Sequence, residues 1–321
     1  MIYYLARRTA HTLFVLLGVS ILTFALIKLA PGDYFAEMRM NPQISPDTVA
    51  SLRHSYGLDQ SLPVTYLRWV RSILHGDLGF SFAYNSPVWP LLKVRAANTL
   101  FLTLTSLFCS WLLAIPIGIW AATQWGRWGE KACRAGTTLL LAVPDVLICL
   151  GLLAFALRTG WFPTGGMHSL GFDQMGLLVQ FKDVVLHLAL PVLALTAGLL
   201  PTLVRHVQSA VGEVLDSPYI QAARGHGIPR RRLLFHHALP AAANPLISLF
   251  GVSLGTLLSG SLLIEVIMSW PGLGPLLLEA ILERDLYVVV ATVLFSTVFL
   301  VAGNLLADVL LHWADPRIRV E

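Results

Sequence analysis

The chain has 321 residues, 56% of them hydrophobic and only 12% charged, with a mean hydropathy of +0.70. Soluble domains are typically about 45–50% apolar and about 25% charged, so the composition excludes an ordinary water-soluble fold and points to lipid as the solvent. A net charge of +4 is too small for a nucleic-acid footprint. Cys109, Cys133 and Cys149 show no CxxC spacing and read as packing residues.

A spanning helix needs about 20 predominantly apolar residues, and six stretches qualify, giving an all-α integral membrane protein. The first runs from Thr9 to Ala30. Arg7 and Arg8 precede it as in a secretory signal, but its core is too long and no A-x-A site follows, so it reads as an uncleaved span. Residues 31–95 are more polar, studded with Pro, Gly, Asp and Ser, and read as a small folded excursion between spans one and two.

Span two is expected over Asn98–Thr123 and span three over Gly136–Leu157. Asp145, just after Pro144, falls near the middle of span three, where a charge is costly and faces a cavity or partner. The other reading is a carboxylate bonded to backbone groups that the proline frees. Span four, Val184–Val204, carries Pro191 and Pro201, which bend membrane helices.

The next segment, "SPYIQAARGHGIPRRRLLFHHALP" (217–240), is polar. Ser217 can cap a short helix with Pro218 at its first position, Gly225 and Gly227 allow the positive φ that ends it, and Pro229 can open a second helix over Arg230–Ala238. From charge alone it could be a topology signal and nothing more. His236-His237 lacks metal-site spacing, and adjacent helical side chains diverge by about 100°.

Span five, Ala241–Ile267, ends near Glu265, readable either as an outer gate or binding-protein contact or as a cap on the turn that follows. Span six, Leu286–Leu311, leads into a short tail, 313–321.

Counted over short loops, arginine and lysine decide orientation. With the N-terminus inside, the inner pieces hold Arg7 and Arg8; Arg127, Lys131 and Arg134; Arg205, Arg224 and Arg230–Arg232; and Arg317 and Arg319, whereas the loop near 265–285 holds four acids against Arg284. Both termini, and the polar segment, are expected in the cytoplasm, with 31–95 outside the membrane.

The 217–240 segment also resembles the coupling loop of ABC importer membrane subunits, in which EAA is followed by three residues, Gly, nine residues and Ile-x-Leu-Pro. Gln221-Ala222-Ala223, Gly227 and Leu239-Pro240 match at the family spacing, with Gln221 in place of the acid and His237 in place of a branched apolar residue. Further segments are similar to the dipeptide, oligopeptide and nickel importer permeases, in particular to the first of their two paired membrane subunits. These are "APGD" (30–33), "YGLDQSLPVTYLRW" (56–69), "GDLGFSF" (76–82), "GWFPTGG" (160–166), "WPGLG" (270–274), "ERDLYVV" (283–289) and "DPRIR" (315–319).

The resemblance implies a six-span type I ABC importer permease of the cell inner membrane: an N-terminal helix (1–30), an extracytoplasmic segment (31–95), a five-helix core (96–312) with its coupling loop at 205–240, and a cytoplasmic tail. It implies a heterodimer with a second permease subunit, two cytoplasmic ATPases and an extracytoplasmic binding protein, with peptides as cargo or, alternatively, nickel or another small solute. No GxxxxGK[ST] occurs, so ATP and magnesium belong to the partner ATPase and this chain is not an enzyme. The coupling residues would be Ser217, Tyr219, Gln221, Ala222, Ala223, Gly227, Leu239 and Pro240, with Asp145 and Glu265 as path or gate candidates. An ion-coupled secondary transporter using Asp145 and Glu265 is the reading from a different class.

Overall fold

The structure is a computed structural model, and it describes residues 2–29, 32, 34, 35, 45, 47, 51, 54, 60–124 and 126–314. Most of "APGD", the first residues of "YGLDQSLPVTYLRW" and all of "DPRIR" lie outside the described residues.

The chain is helical as expected. Its principal helices are α1 (Ile2–Leu29), α2 (Leu62–Leu74), α3 (Val88–Thr123), α4 (Trp128–Ala142), α5 (Asp145–Thr159), α6 (Leu177–Leu215), α7 (Pro218–Gly225), α8 (Leu239–Ile267), α9 (Leu273–Leu282) and α10 (Leu286–Ala314). Among the described residues, five helices are long and apolar enough to cross a membrane, or six if α4 and α5 count as one broken span. At 36 residues, α3 is about 54 Å long and exceeds the roughly 30 Å hydrocarbon core. It begins at Val88 rather than Asn98, so the end of the polar excursion already belongs to this helix.

Span three departs most from the sequence expectation. α4 and α5 meet at 93° instead of forming one straight helix. Pro144 has no N–H to continue the ladder and pushes the residue before it into extended geometry; Val143 has φ −92° and ψ 121°. Asp145 is therefore the first residue of a helix, not the middle of one. An acid there is favoured by the helix dipole.

The chain forms two compact units. The first comprises Met1–Thr99 and Pro271–Val298. Phe24 of α1, Trp69 of α2, Phe35, and Leu286 and Val290 of α10 make its apolar core, and Tyr66 shares a 2.8 Å hydrogen bond with Ser20. A two-residue antiparallel hairpin, Phe80–Ser81 with Ser86–Pro87, sits on the start of α10. Asp285, with no exposed surface, accepts hydrogen bonds from the Ser81 hydroxyl at 2.7 Å and the Ala83 N–H at 3.2 Å. Gly79 has φ +103°, and a Cβ there would stand 2.9 Å from the Tyr287 ring. Tyr84 donates to Glu279; burial and then that bond push its pKa up to about 12. Asn98 donates to the Pro271 carbonyl and Thr99 accepts from the Leu273 N–H, each at 2.8 Å.

The second unit comprises Leu100–Trp270 and Phe299–Glu321. α6 is its central element: Leu190, Leu195, Leu203, Val207 and Val211 are buried, and α4, α5 and α8 pack on it. Pro191 and Pro201 both lie inside this helix, which is continuous over 39 residues. Cys149 is buried in the core, and the cysteines of this unit are free thiols. Leu13, Phe14 and Leu22 of α1, Phe108 of α3 and Leu157 of α5 are each more than half exposed. Large apolar surfaces on every long helix suit a bilayer, where they face acyl chains.

Candidate functional site

The 216–240 loop is built on three anchors. α7 starts at Pro218, where its missing N–H is harmless. Ser217 is the N-cap residue, but it does not cap through its side chain as expected; its hydroxyl donates back to the Val214 carbonyl, one turn earlier in α6. The cap is replaced by the fixed φ of Pro218 and by Ile220, which is fully buried. Burying that side chain is worth about 2 kcal/mol. The second anchor is a π-helical turn, Leu233–Ala238, with Leu233 and Ala238 buried, against which α7 packs. The segment Arg230–Ala238 is thus no separate helix: it runs through this turn into α8, and the two together extend over 38 residues. Single π turns inside α-helices concentrate at functional sites.

The third anchor is Arg230. Its guanidinium donates to the Thr123 carbonyl at 2.7 Å, capping the C-terminal end of α3, where a cation is favoured by the dipole. Nearby, the Glu130 carboxylate accepts from the Gly126 N–H at 2.7 Å and pairs with Arg134; these bonds, the Gly126 one first, hold its pKa below the usual carboxylate range.

What these anchors leave outward is specific. Tyr219, Gln221, Ala222, Arg224, His226, Gly227 and Pro240 are exposed, with Ala223 and Leu239 half-buried. α7 ends at Gly225 with His226 as its C-cap residue, and of the two glycines only Gly227 takes positive φ, +79°, with open space where a side chain would stand. The Gln221 amide donates to the Asp216 carbonyl at 3.0 Å, a local bond that an acid could not make. His236 and His237 are exposed, and no group of three metal-ligating side chains occurs among the described residues.

Asp145 lies elsewhere in the same unit, lining a cavity of about 270 Å³ between α6 and α8. Its Oδ1 stands 2.8 Å from where a Cβ on Gly198 would be. Thr202 and His206 of α6 and Ser253 and Thr256 of α8 line the same space. Neither Gly198 nor His206 is marked by the sequence, because their relation to Asp145 is set between helices. At the start of α5 the Pro144 carbonyl accepts from the Leu147 and Ile148 N–H groups.

Glu265 is separate from that cavity and completely buried near the end of α8. Its carbonyl, not its side chain, accepts from the Trp270 N–H at 2.8 Å, and the Gly166 N–H donates to Ser269 at 3.1 Å. The "GWFPTGG" segment is thereby tied to the turn after α8, and Trp270 is buried beneath it.

Residues 114–320 match the family described as the binding-protein-dependent transport system inner membrane component, and residues 1–103 match the N-terminal family of such membrane components. The chain is 35% identical over 317 residues to the oligopeptide transport system permease protein AppB of Bacillus subtilis, covering 98% of each chain. It is 33% identical over 337 residues to the di/tripeptide transport system permease protein DppB of Pseudomonas aeruginosa, covering 99% of each. Among solved structures, an inward-facing form of the MetNI methionine ABC transporter shares the fold, with a TM-score of 0.56, 18% identity and coverage of 70% of this chain and 96% of that one. With both family matches, two full-length relatives and a helical fold of spanning length, the chain belongs to the binding-protein-dependent inner membrane components and is a permease subunit of an ABC importer.

Proposed function

We propose that the chain forms half of the translocation path of an ATP-driven peptide importer and is moved by a separate ATPase that docks on residues 217–240. The observation that carries this is the form of the loop: a short helix held from below by Ile220, turned at Gly227, and presenting Tyr219, Gln221 and Ala222 to solvent. Such a helix can transmit a push, because its anchors reach both α8 and, through Arg230, the end of α3. Peptide cargo is supported by the names of the two relatives, one oligopeptide and one di/tripeptide permease.

In this reading the arginine-rich pieces lie in the cytoplasm, residues 31–95 lie outside, and a binding protein delivers cargo there. A second permease subunit supplies the other half of the path, two ATPases supply the energy, and ATP with magnesium resides on them. Closure of the ATPases shifts the coupling loops and turns the spans from one access to the other.

The test is uptake of radiolabelled Ala-Ala into vesicles holding the complete transporter. Accumulation should require ATP and cease when the ATPase subunits are omitted. Uptake persisting without them would transfer the case to an ion-coupled transporter using Asp145 and Glu265. Cysteines placed at Ser45 and at Arg231 report orientation: an impermeant thiol reagent should reach the first, and not the second, in intact cells.

A further inference from the structure

We propose that Asp145, seated against Gly198, is a subsite for the cationic α-ammonium end of the peptide as it crosses, a step that rests on the peptide-permease reading above. The cavity is mostly apolar, and among the described residues Asp145 is the one acid lining it. An acid in a spanning region faces the bundle interior or a water-filled cavity, and such residues mark substrate or ion pathways. Among the described residues no lysine or arginine lines this space, and no ion pair links the Asp145 carboxylate to such a side chain. The carboxylate is exposed to this space, and a side chain at position 198 would meet its Oδ1.

The neighbouring hydroxyls favour the same ligand. Ser253 donates its proton to the Leu249 carbonyl at 2.6 Å, and Thr256 donates to the Val252 carbonyl at 3.0 Å. With their protons committed to the helix, both oxygens keep lone pairs to offer. One carboxylate with hydroxyl acceptors suits an N–H donor of positive charge. A transition metal would require three or more ligands of His, Cys or carboxylate type, and among the described residues no group of three such side chains occurs. A volume of about 270 Å³ accommodates the amino end of a peptide rather than a long chain. The subsite would be weak by design, since one carboxylate must release the cargo again after holding it.

The test uses the purified complete complex without its binding protein, so that selection by that protein does not enter. A photoreactive dipeptide should label the wild-type complex, with labelling competed by Ala-Ala and not by N-acetyl-Ala-Ala. Asp145→Asn should reduce labelling and vesicle uptake of Ala-Ala at least tenfold while leaving complex composition and basal ATP hydrolysis within twofold. Asp145→Glu, which keeps the charge, should retain part of both. Gly198→Ala, which displaces the carboxylate without removing it, should lower both several-fold. Equal competition by the acetylated dipeptide, or unchanged labelling in Asp145→Asn, would overturn the subsite and leave the permease reading standing. ATP-independent uptake by the wild type would overturn that reading instead.

Discussion

The hairpin at Asp285 and the 216–240 loop are both polar insertions between apolar helices, and they treat their polar groups in opposite ways. Around Asp285 the donors are turned inward: a fully buried carboxylate takes hydrogen bonds from Ser81 and Ala83, and Gly79 lets the backbone lie against Tyr287. In the loop, the buried side chains of Ile220, Leu233 and Ala238 and one arginine cap hold a surface on which Tyr219, Gln221, Arg224 and His226 are exposed. A buried network with its bonds made is a structural fastener. A well-anchored helix with an open face is the surface proposed above to dock the ATPase, and on that proposal its changes should be felt in coupling before they are felt in stability.

The largest effect on folding is therefore expected from Asp285→Ala. It removes at once the acceptor of the buried Ser81 hydroxyl and of the part-buried Ala83 N–H, a loss of about 3 kcal/mol. Thermal unfolding in detergent and the amount of protein recovered from membranes should both fall markedly, and Asp285→Asn, which keeps one acceptor, should fall less. Wild-type stability in Asp285→Ala would show that the hairpin is not fastened there.

Next comes Gly79→Ala. Its φ of +103° costs a non-glycine residue about 1–2 kcal/mol, and the new methyl would overlap the Tyr287 ring. Tyr287→Ala opens the space without curing the backbone strain, so the double variant should recover only part of the loss. Full recovery would assign the whole cost to the overlap.

The two regions also differ in how far they can be read from sequence. Spans are legible because lipid demands long apolar runs, and the loop is legible because Gln221-Ala222-Ala223, Gly227 and Leu239-Pro240 fall at the spacing of the coupling loops it resembles. The Asp285 fastener is not, since Asp285 and Glu279 look like ordinary loop acids until Ser81 and Tyr84, distant along the chain, are folded onto them. The 93° break at Pro144 was written in the proline itself, but an apolar run on both sides of it reads as one span. Gly198 carries no local sign at all, because its reason is a carboxylate on another helix.

In the loop, Gly227→Val separates stability from coupling. The left-handed backbone costs about 1–2 kcal/mol, but the position is open and outside the spans, so the protein should still reach the membrane in near-normal amounts. The ATPase should co-purify poorly and uptake should be lost. Full retention of the ATPase with normal uptake would reduce the segment to a topology signal.

The smallest effect is expected at Gln221, where the local bond and the partner surface pull in different directions. The amide donates to the Asp216 carbonyl, and a carboxylate at the same place would meet that oxygen as a second acceptor. A neutral hydrogen bond of this kind, on an exposed residue, is worth about 0.5–1 kcal/mol. Against this, an acid near the start of α7 gains about 0.3–1 kcal/mol from the helix dipole, so Gln221→Glu should leave stability within a few tenths of a kcal/mol. Its consequence should fall on docking, because the freed carboxylate can turn outward to the ATPase, as the acid of related coupling loops implies. Co-purification at rising salt discriminates: retention of the ATPase by Gln221→Glu should exceed wild type at low ionic strength and converge with it as salt screens the added charge. Identical retention at every salt concentration would mean that position 221 faces its own helix and not the partner.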